Sequence, residues 1–188
     1  VKVVTVTGYK PYELGIFQDS HPAVHFIKKA LKKQIVQLVE GGLEWILISG
    51  QPGVELWCAE VVFELQEQYP VLQLGVITAI LNHHERWKDE QKESYEMILA
   101  QADYVDTLSK RPYEGPWQFR NLNEWLIDKS DALLVIYDEE KQGTPQYLLN
   151  VARRAQEHEQ YEIIMITPFD IQMIAEDEQM SNPDYWTQ

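Results

Sequence analysis

LEWILISGQPGVELWCAE, residues Leu43–Glu60, holds a strand, a turn and the start of a helix in one stretch. Trp45–Ile48 is a short, nearly continuous apolar run, the pattern of a strand covered on both faces. It stops at Ser49-Gly50. Gln51-Pro52-Gly53 then turns the chain, and from Val54 onward apolar residues recur at helical spacing. A strand feeding through glycines into a helix is the repeating unit of a parallel α/β sheet. Such a turn is either a tight connection or a place where bare backbone receives a ligand.

The same unit recurs outward from this stretch. KVVTVTG (Lys2–Gly8) is a β-branched run ending in glycine. AVHFIKKALKKQIVQLVEGG reads as a helix with Phe26, Ile27, Ala30, Leu31, Ile35, Leu38 and Val39 on one face, capped by Ser20 and ended by Gly41-Gly42. Further strands are predicted at Leu72–Ile80, near Tyr104–Leu108, at Ala132–Asp138 and at Tyr161–Thr167, with helices over Val54–Tyr69, Glu85–Ala102, Trp117–Ser130 and from Thr144. The expected fold is α/β: a Rossmann-like parallel sheet of about six strands in the order 3-2-1-4-5-6, with helices on both faces. Residues 1–175 are expected to form a single domain, with an acidic C-terminal tail over 176–188; the acidic stretch from Asp170 is expected to form one short helix and then fray.

Composition narrows the classes. The 188 residues are 45% hydrophobic, enough for one α/β domain with a full core. No apolar run reaches the ~18 residues of a membrane span, so no membrane insertion is expected. The chain shows no signal-peptide pattern, and its single cysteine, Cys58, excludes an internal disulfide and a cysteine-based zinc site; a cytoplasmic protein is expected. Sixteen Lys+Arg against 30 Asp+Glu give a net charge of −14, which makes nucleic acid an unlikely partner.

The predicted strand ends carry the chemistry. Thr7-Gly8, Ser49-Gly50 to Gly53, and Asp138 to Gly143-Thr144 would all lie on the carboxyl edge of a parallel sheet. Glycines there let backbone N–H groups approach a ligand, and a helix start offers about half a positive charge. The motif is neither G-x-G-x-x-G nor a P-loop. Glu55, in the first turn of its helix, is either a dipole-complementing residue or a ribose acceptor. His21 and His25 lie four residues apart without a third ligand, so no metal site is assigned. His83-His84 reads as a solvated loop, and Trp57, Trp117, Trp125 and Tyr147 as core or helix-packing residues.

Taken together, VTVTGYKPYELG, WILISGQPGVELWCAE, YEGPWQF and KSDALLVIYDEEKQGTPQY resemble the YpsA family of Gram-positive bacteria, over residues 1–175. That resemblance implies membership of the SLOG superfamily, with the LOG phosphoribohydrolases and the DNA-processing protein A family as relatives. It implies a pocket for a nucleotide or a derivative such as ADP-ribose or NAD, with no certain cofactor beyond that ligand. The catalytic positions of LOG enzymes are not retained: Leu122 stands where their arginine would be, with Arg120 two residues earlier, and Gln146 replaces their glutamate. A glutamine cannot serve as a general base. Of the Arg-Asn-Arg of the DNA-processing relatives only Asn123 remains, between Leu122 and Glu124.

The expected site is therefore a phosphate-facing rim of Gly8, Gly50, Gly53, Gly143 and Thr144. Glu55, Asn123 and Asp138 would contact ribose or base, and Arg120 would supply the cation for a phosphate. The expected function is a sensor or regulator that binds a nucleotide. The alternatives are a hydrolase of a nucleotide or N-glycosidic bond with Glu55 as its carboxylate, and a protein-interaction module without a ligand. A protein partner and self-association stay open.

Overall fold

The apolar runs pair into one six-stranded, all-parallel sheet in a computed structural model that describes residues 1–182 and 184. Its elements are β1 (Val3–Thr7), α1 (Pro22–Glu40), β2 (Trp45–Ile48), α2 (Val54–Gln66), β3 (Gln73–Thr78), α3 (Asp89–Gln101), β4 (Tyr104–Thr107), α4 (Trp117–Asp128), β5 (Ala132–Ile136), α5 (Pro145–His158), β6 (Glu162–Ile166) and α6 (Pro168–Ser181). A 3-10 turn, Pro11–Leu14, lies between β1 and α1.

Side chains alternate between two cores, as the two-residue period of a strand requires. Val4, Val6, Ile46, Ile48, Leu74, Val76, Leu134 and Ile136 pack with residues of α1, α2, α3 and α6. Leu47, Ile77, Leu133 and Val135 turn to the other face, against Leu122 and Leu126 of α4 and Leu148 and Leu149 of α5. The expected Rossmann-like parallel sheet, covered on both faces, is what the chain forms.

The strand order is β4-β3-β2-β1-β5-β6. This corrects the expected 3-2-1-4-5-6 at one strand: β4 lies outside β3, not between β1 and β5. The reason is polarity. β4 is YVDT, with Tyr104 and Val105 exposed, whereas the neighbour of β1 must be buried at every position, as β5 is. β1 therefore pairs directly with β5, in the register Val4↔Ala132. The order reverses at this pair, and ligands of open parallel sheets bind beside such a point.

Two ends differ from the sequence pattern. His21, not Ser20, caps α1, its Nδ1 accepting from the Ala23 N–H at 3.1 Å. The expected tail boundary at residue 176 falls inside α6, whose Ile171 and Ile174 pack on the core and whose Glu178 meets His25 at 2.8 Å and Lys29 at 3.3 Å. Tail positions 183 and 185–188 lie outside the described residues. Among the described residues no helix is long and apolar enough to cross a membrane.

Leu134 is fully buried on the central strand β5. Leu134→Ala is expected to cost about 2–5 kcal/mol, read as a lower denaturant midpoint at unchanged slope.

A candidate site at the carboxyl edge of the sheet

One carboxylate ties the ends of β1 and β2. Glu55 is 5% exposed, and its Oε1 accepts from the Ser49 N–H at 2.7 Å, the Ser49 hydroxyl at 2.8 Å and the Gln51 N–H at 3.4 Å. Its Oε2 accepts from the Thr7 hydroxyl at 2.9 Å. Burial pushes the Glu55 pKa up, against the pull of the hydrogen bonds from Ser49 and Thr7. Both oxygens are engaged by the protein, so the geometry is that of a structural clamp under the turn.

The glycines of this turn are explained by the protein's own packing. Gly53 has φ +92°, and a side chain there would run into the Tyr9 carbonyl oxygen and come within 2.9 Å of the Lys10 Cα and 3.0 Å of the Pro11 Cδ. Gly50 has φ +81°, and a Cβ there would come within 3.1 Å of the Tyr95 ring. A Cβ at Gly8 would come within 2.6 Å of the Val54 side chain. The loop after β1 thus fills the space beside Gly53 that the sequence pattern assigns to a ligand.

That loop also reaches the second predicted turn. The Tyr9 hydroxyl lies 2.6 Å from the Lys141 carbonyl, to which it donates, and accepts from the Asp138 N–H at 2.9 Å. Its ring stacks on Tyr137 at 5.9 Å. Glu13 continues the bridge. Its carboxylate accepts from the Thr144 N–H at 2.9 Å, the Thr144 hydroxyl, and the Lys10 N–H at 2.9 Å. Gly143 sits so close to Glu13 Oε2 that a side chain would collide with it. Glu13 therefore occupies the N-terminus of α5 as an anion would. Burial opposes its ionisation, but donation from Thr144 and Lys10 outweighs burial and holds its pKa below the ordinary 4.5.

The expected site residues accordingly fall into three groups. Gly8, Gly50, Gly53 and Glu55 meet at the ends of β1 and β2. Asp138, Gly143 and Thr144 meet across the loop at the start of α5. Arg120 and Asn123 stand on α4, over the opposite face of the sheet from α2 and α3. Arg120 is exposed, and among the described residues its guanidinium makes no hydrogen bond or ion pair; its backbone N–H donates to the Pro116 carbonyl at 3.2 Å. The single rim expected from the sequence is thus divided by the loop.

An open cleft of about 540 Å³ lies on the α2–α3 side. The loop lines it with Lys10, Pro11, Tyr12 and Phe17, the turn with Gln51, Pro52 and Gly53, α2 with Trp57 and Glu60, and the start of α3 with Gln91 and Ser94. Trp87 completes it, packed on Tyr95 at 5.1 Å beside His83 and His84. The two histidines are thus half-buried in an aromatic cluster and not a solvated loop, and burial lowers the His83 pKa to about 4. Trp57 is buried and Trp125 half-buried, as expected, but Trp117 and Tyr147 are exposed. Among the described residues no three His, Cys, Asp or Glu side chains group as metal ligands. The sequence pattern missed Tyr9, Tyr12, Glu13 and Phe17. The signal was their place, a loop directly after a strand end, where sheet function concentrates.

The chain belongs to the SLOG class of Rossmann-like proteins: the YpsA family model, described as the YspA SLOG family, matches residues 4–171. It is 54% identical to a UPF0398 protein of Bacillus anthracis over 98% of this chain and 100% of that relative, and 53% identical to one of Bacillus thuringiensis with the same coverage. Its fold is similar to that of DNA processing protein A from Helicobacter pylori, with a TM-score of 0.52 at 16% identity, over 96% of this chain and 82% of the other. That protein is described by its single-stranded DNA binding mode. This overturns the expectation that nucleic acid is an unlikely partner, which rested on net charge. Net charge is an average over the surface, and a fold of this kind is found in a protein that binds single-stranded DNA.

The lowered Glu13 pKa fixes the sign of a pH effect. Such a carboxylate adds stability above its unfolded pKa, and that stability is lost as the pH falls through its folded pKa. Glu13→Gln is expected to lower the melting temperature at neutral pH, with the gap from the unsubstituted protein closing as the pH drops below the ordinary 4.5. Melting curves across pH check this; a gap independent of pH would contradict it.

Proposed function

We propose that this is a cytoplasmic sensor or regulator that binds a nucleotide or nucleotide-derived ligand, of the ADP-ribose or NAD kind. One observation carries the reading: a cleft of about 540 Å³ opens at the carboxyl edge of a parallel sheet, against the first turn of α2. Its volume is within the range of about 300–1,000 Å³ common for small-molecule sites, and its lining comes from the loops that leave the carboxyl ends of β1, β2 and β3. SLOG membership supports the ligand class. The fold shared with DNA processing protein A adds single-stranded nucleic acid, whose bases offer the same chemistry.

In this reading the phosphate end lies toward Lys10 and Lys88, the cations of the cleft. Arg120, Asn123 and the Gly143–Thr144 turn take no part in first binding, because Glu13 fills that turn and α4 covers the other face. Binding is favoured over N-glycosidic hydrolysis because the carboxylate of Glu55 is enclosed and hydrogen-bonded within the protein.

Melting curves with AMP, NAD, ADP-ribose and a single-stranded oligodeoxynucleotide test the reading. At least one is expected to raise the melting temperature, with a stabilisation near 2.7 kcal/mol at about a hundred times its Kd. Arg120→Ala is expected to keep that shift. No shift with any of the four would sink the reading.

A further inference from the structure

Two aromatic side chains lining the cleft are held out in water: Tyr12 is 66% and Phe17 86% exposed. Single exposed rings are common on protein surfaces and by themselves say little. These two differ in their support. Ile16 is buried in the core next to Phe17, Tyr9 is buried under the loop, and Glu13 is fastened to Thr144 next to Tyr12. The backbone of Tyr9–Pro11 is packed on Gly53. Tyr12 therefore projects from a frame anchored on both sides, and Phe17 from one anchored by Ile16 before it and by the Asp19–Trp57 hydrogen bond two residues on, so that ordering the rings for a ligand costs little further entropy. Trp57 and Trp87 line the same cleft.

The charges of the cleft point the same way. Its charged lining is Lys10 and Lys88 against Asp19, Glu60 and Glu90, an acidic balance. Asp19 accepts from the Trp57 indole N–H at 3.2 Å, and Glu60 pairs with Lys28. The two predicted phosphate turns already hold the chain's own carboxylates, Glu55 and Glu13. A cleft of this make-up suits a flat, uncharged ring better than a chain of phosphates.

We propose that the cleft recognises its ligand chiefly through a nucleobase stacked on Tyr12 and Phe17, with the phosphate secondary. This rests on the nucleotide-binding reading and names the part of the ligand that is read. The base belongs either to a free nucleotide or to single-stranded nucleic acid, which share this chemistry.

Titration calorimetry on the full chain decides, with adenosine, guanosine, cytidine and uridine, their 5′-monophosphates, ribose 5-phosphate, and a short single-stranded oligodeoxynucleotide. At least one nucleoside is expected to bind within about tenfold of its monophosphate, and ribose 5-phosphate at least about tenfold more weakly. Tyr12→Ala with Phe17→Ala is expected to weaken the best nucleoside at least about tenfold at an unchanged melting temperature. If the double variant melts early, Phe17→Ala alone, at the more exposed ring, is expected to weaken the same nucleoside without lowering the melting temperature. An oligodeoxynucleotide that binds more tightly than every monophosphate, and loses that affinity in the variants, identifies nucleic acid as the source of the base; the reverse order identifies a free nucleotide. Ribose 5-phosphate binding as tightly as the monophosphates, or full nucleoside affinity in the folded variants, overturns the proposal while leaving nucleotide binding in place. No binding by any probe overturns both.

Discussion

The approach of Gly53 to the backbone of Tyr9–Pro11 sets the form of the whole carboxyl edge. Only a residue without a Cβ, at φ +92°, lets the loop after β1 lie on the start of α2, where the Tyr9 carbonyl accepts from the Val54 N–H at 3.2 Å. From that seat Tyr9 reaches the Asp138–Lys141 turn and Glu13 reaches Thr144. One short loop thereby couples β1, α2, β5 and α5, and presents Tyr12 and Phe17 on the far side. Without the close approach, the loop would have to rise from the sheet and the wall of the cleft would lose its anchor.

The second consequence is electrostatic. Helix starts at the end of a parallel sheet attract anions; here the chain's own Glu13 answers that of α5, and Glu55 fills the turn before α2. Glu55 holds the Ser49–Gln51 backbone from inside the fold, while Glu13 holds Thr144 from the loop. Their environments differ, since burial dominates for Glu55 and raises its pKa, whereas donated hydrogen bonds win for Glu13 and lower it. With those donors satisfied internally, the open part of the edge is the aromatic cleft between the loop, α2 and α3. Recognition then falls to ring surfaces more than to a phosphate cradle.

The sheet was legible because burial on two faces leaves continuous apolar runs, as in Trp45–Ile48 and Ala132–Ile136. The place of β4 was less so: four half-polar residues announce a strand, but only their exposure rules out a central position. The strand-end glycines were visible as glycines, yet a sequence cannot tell whether a missing Cβ makes room for a ligand or for another part of the chain. At Gly53 it is Tyr9–Pro11, more than forty positions away in the chain. Arg120 suited a phosphate by its charge and its helix, but α4 crosses to the face opposite α2, a fact of topology that spacing does not carry. Glu13 drew no notice because its meaning lies in Thr144, which only the folded sheet brings to it.

The most direct measurement is a crystal structure of the protein with the nucleotide that most raises its melting temperature. The account predicts ligand density in the cleft, its base against Tyr12 and Phe17, with the Glu13 carboxylate still on Thr144. A nucleotide whose phosphate sits on Gly143–Thr144, with Glu13 displaced and the aromatic cleft empty, would contradict it.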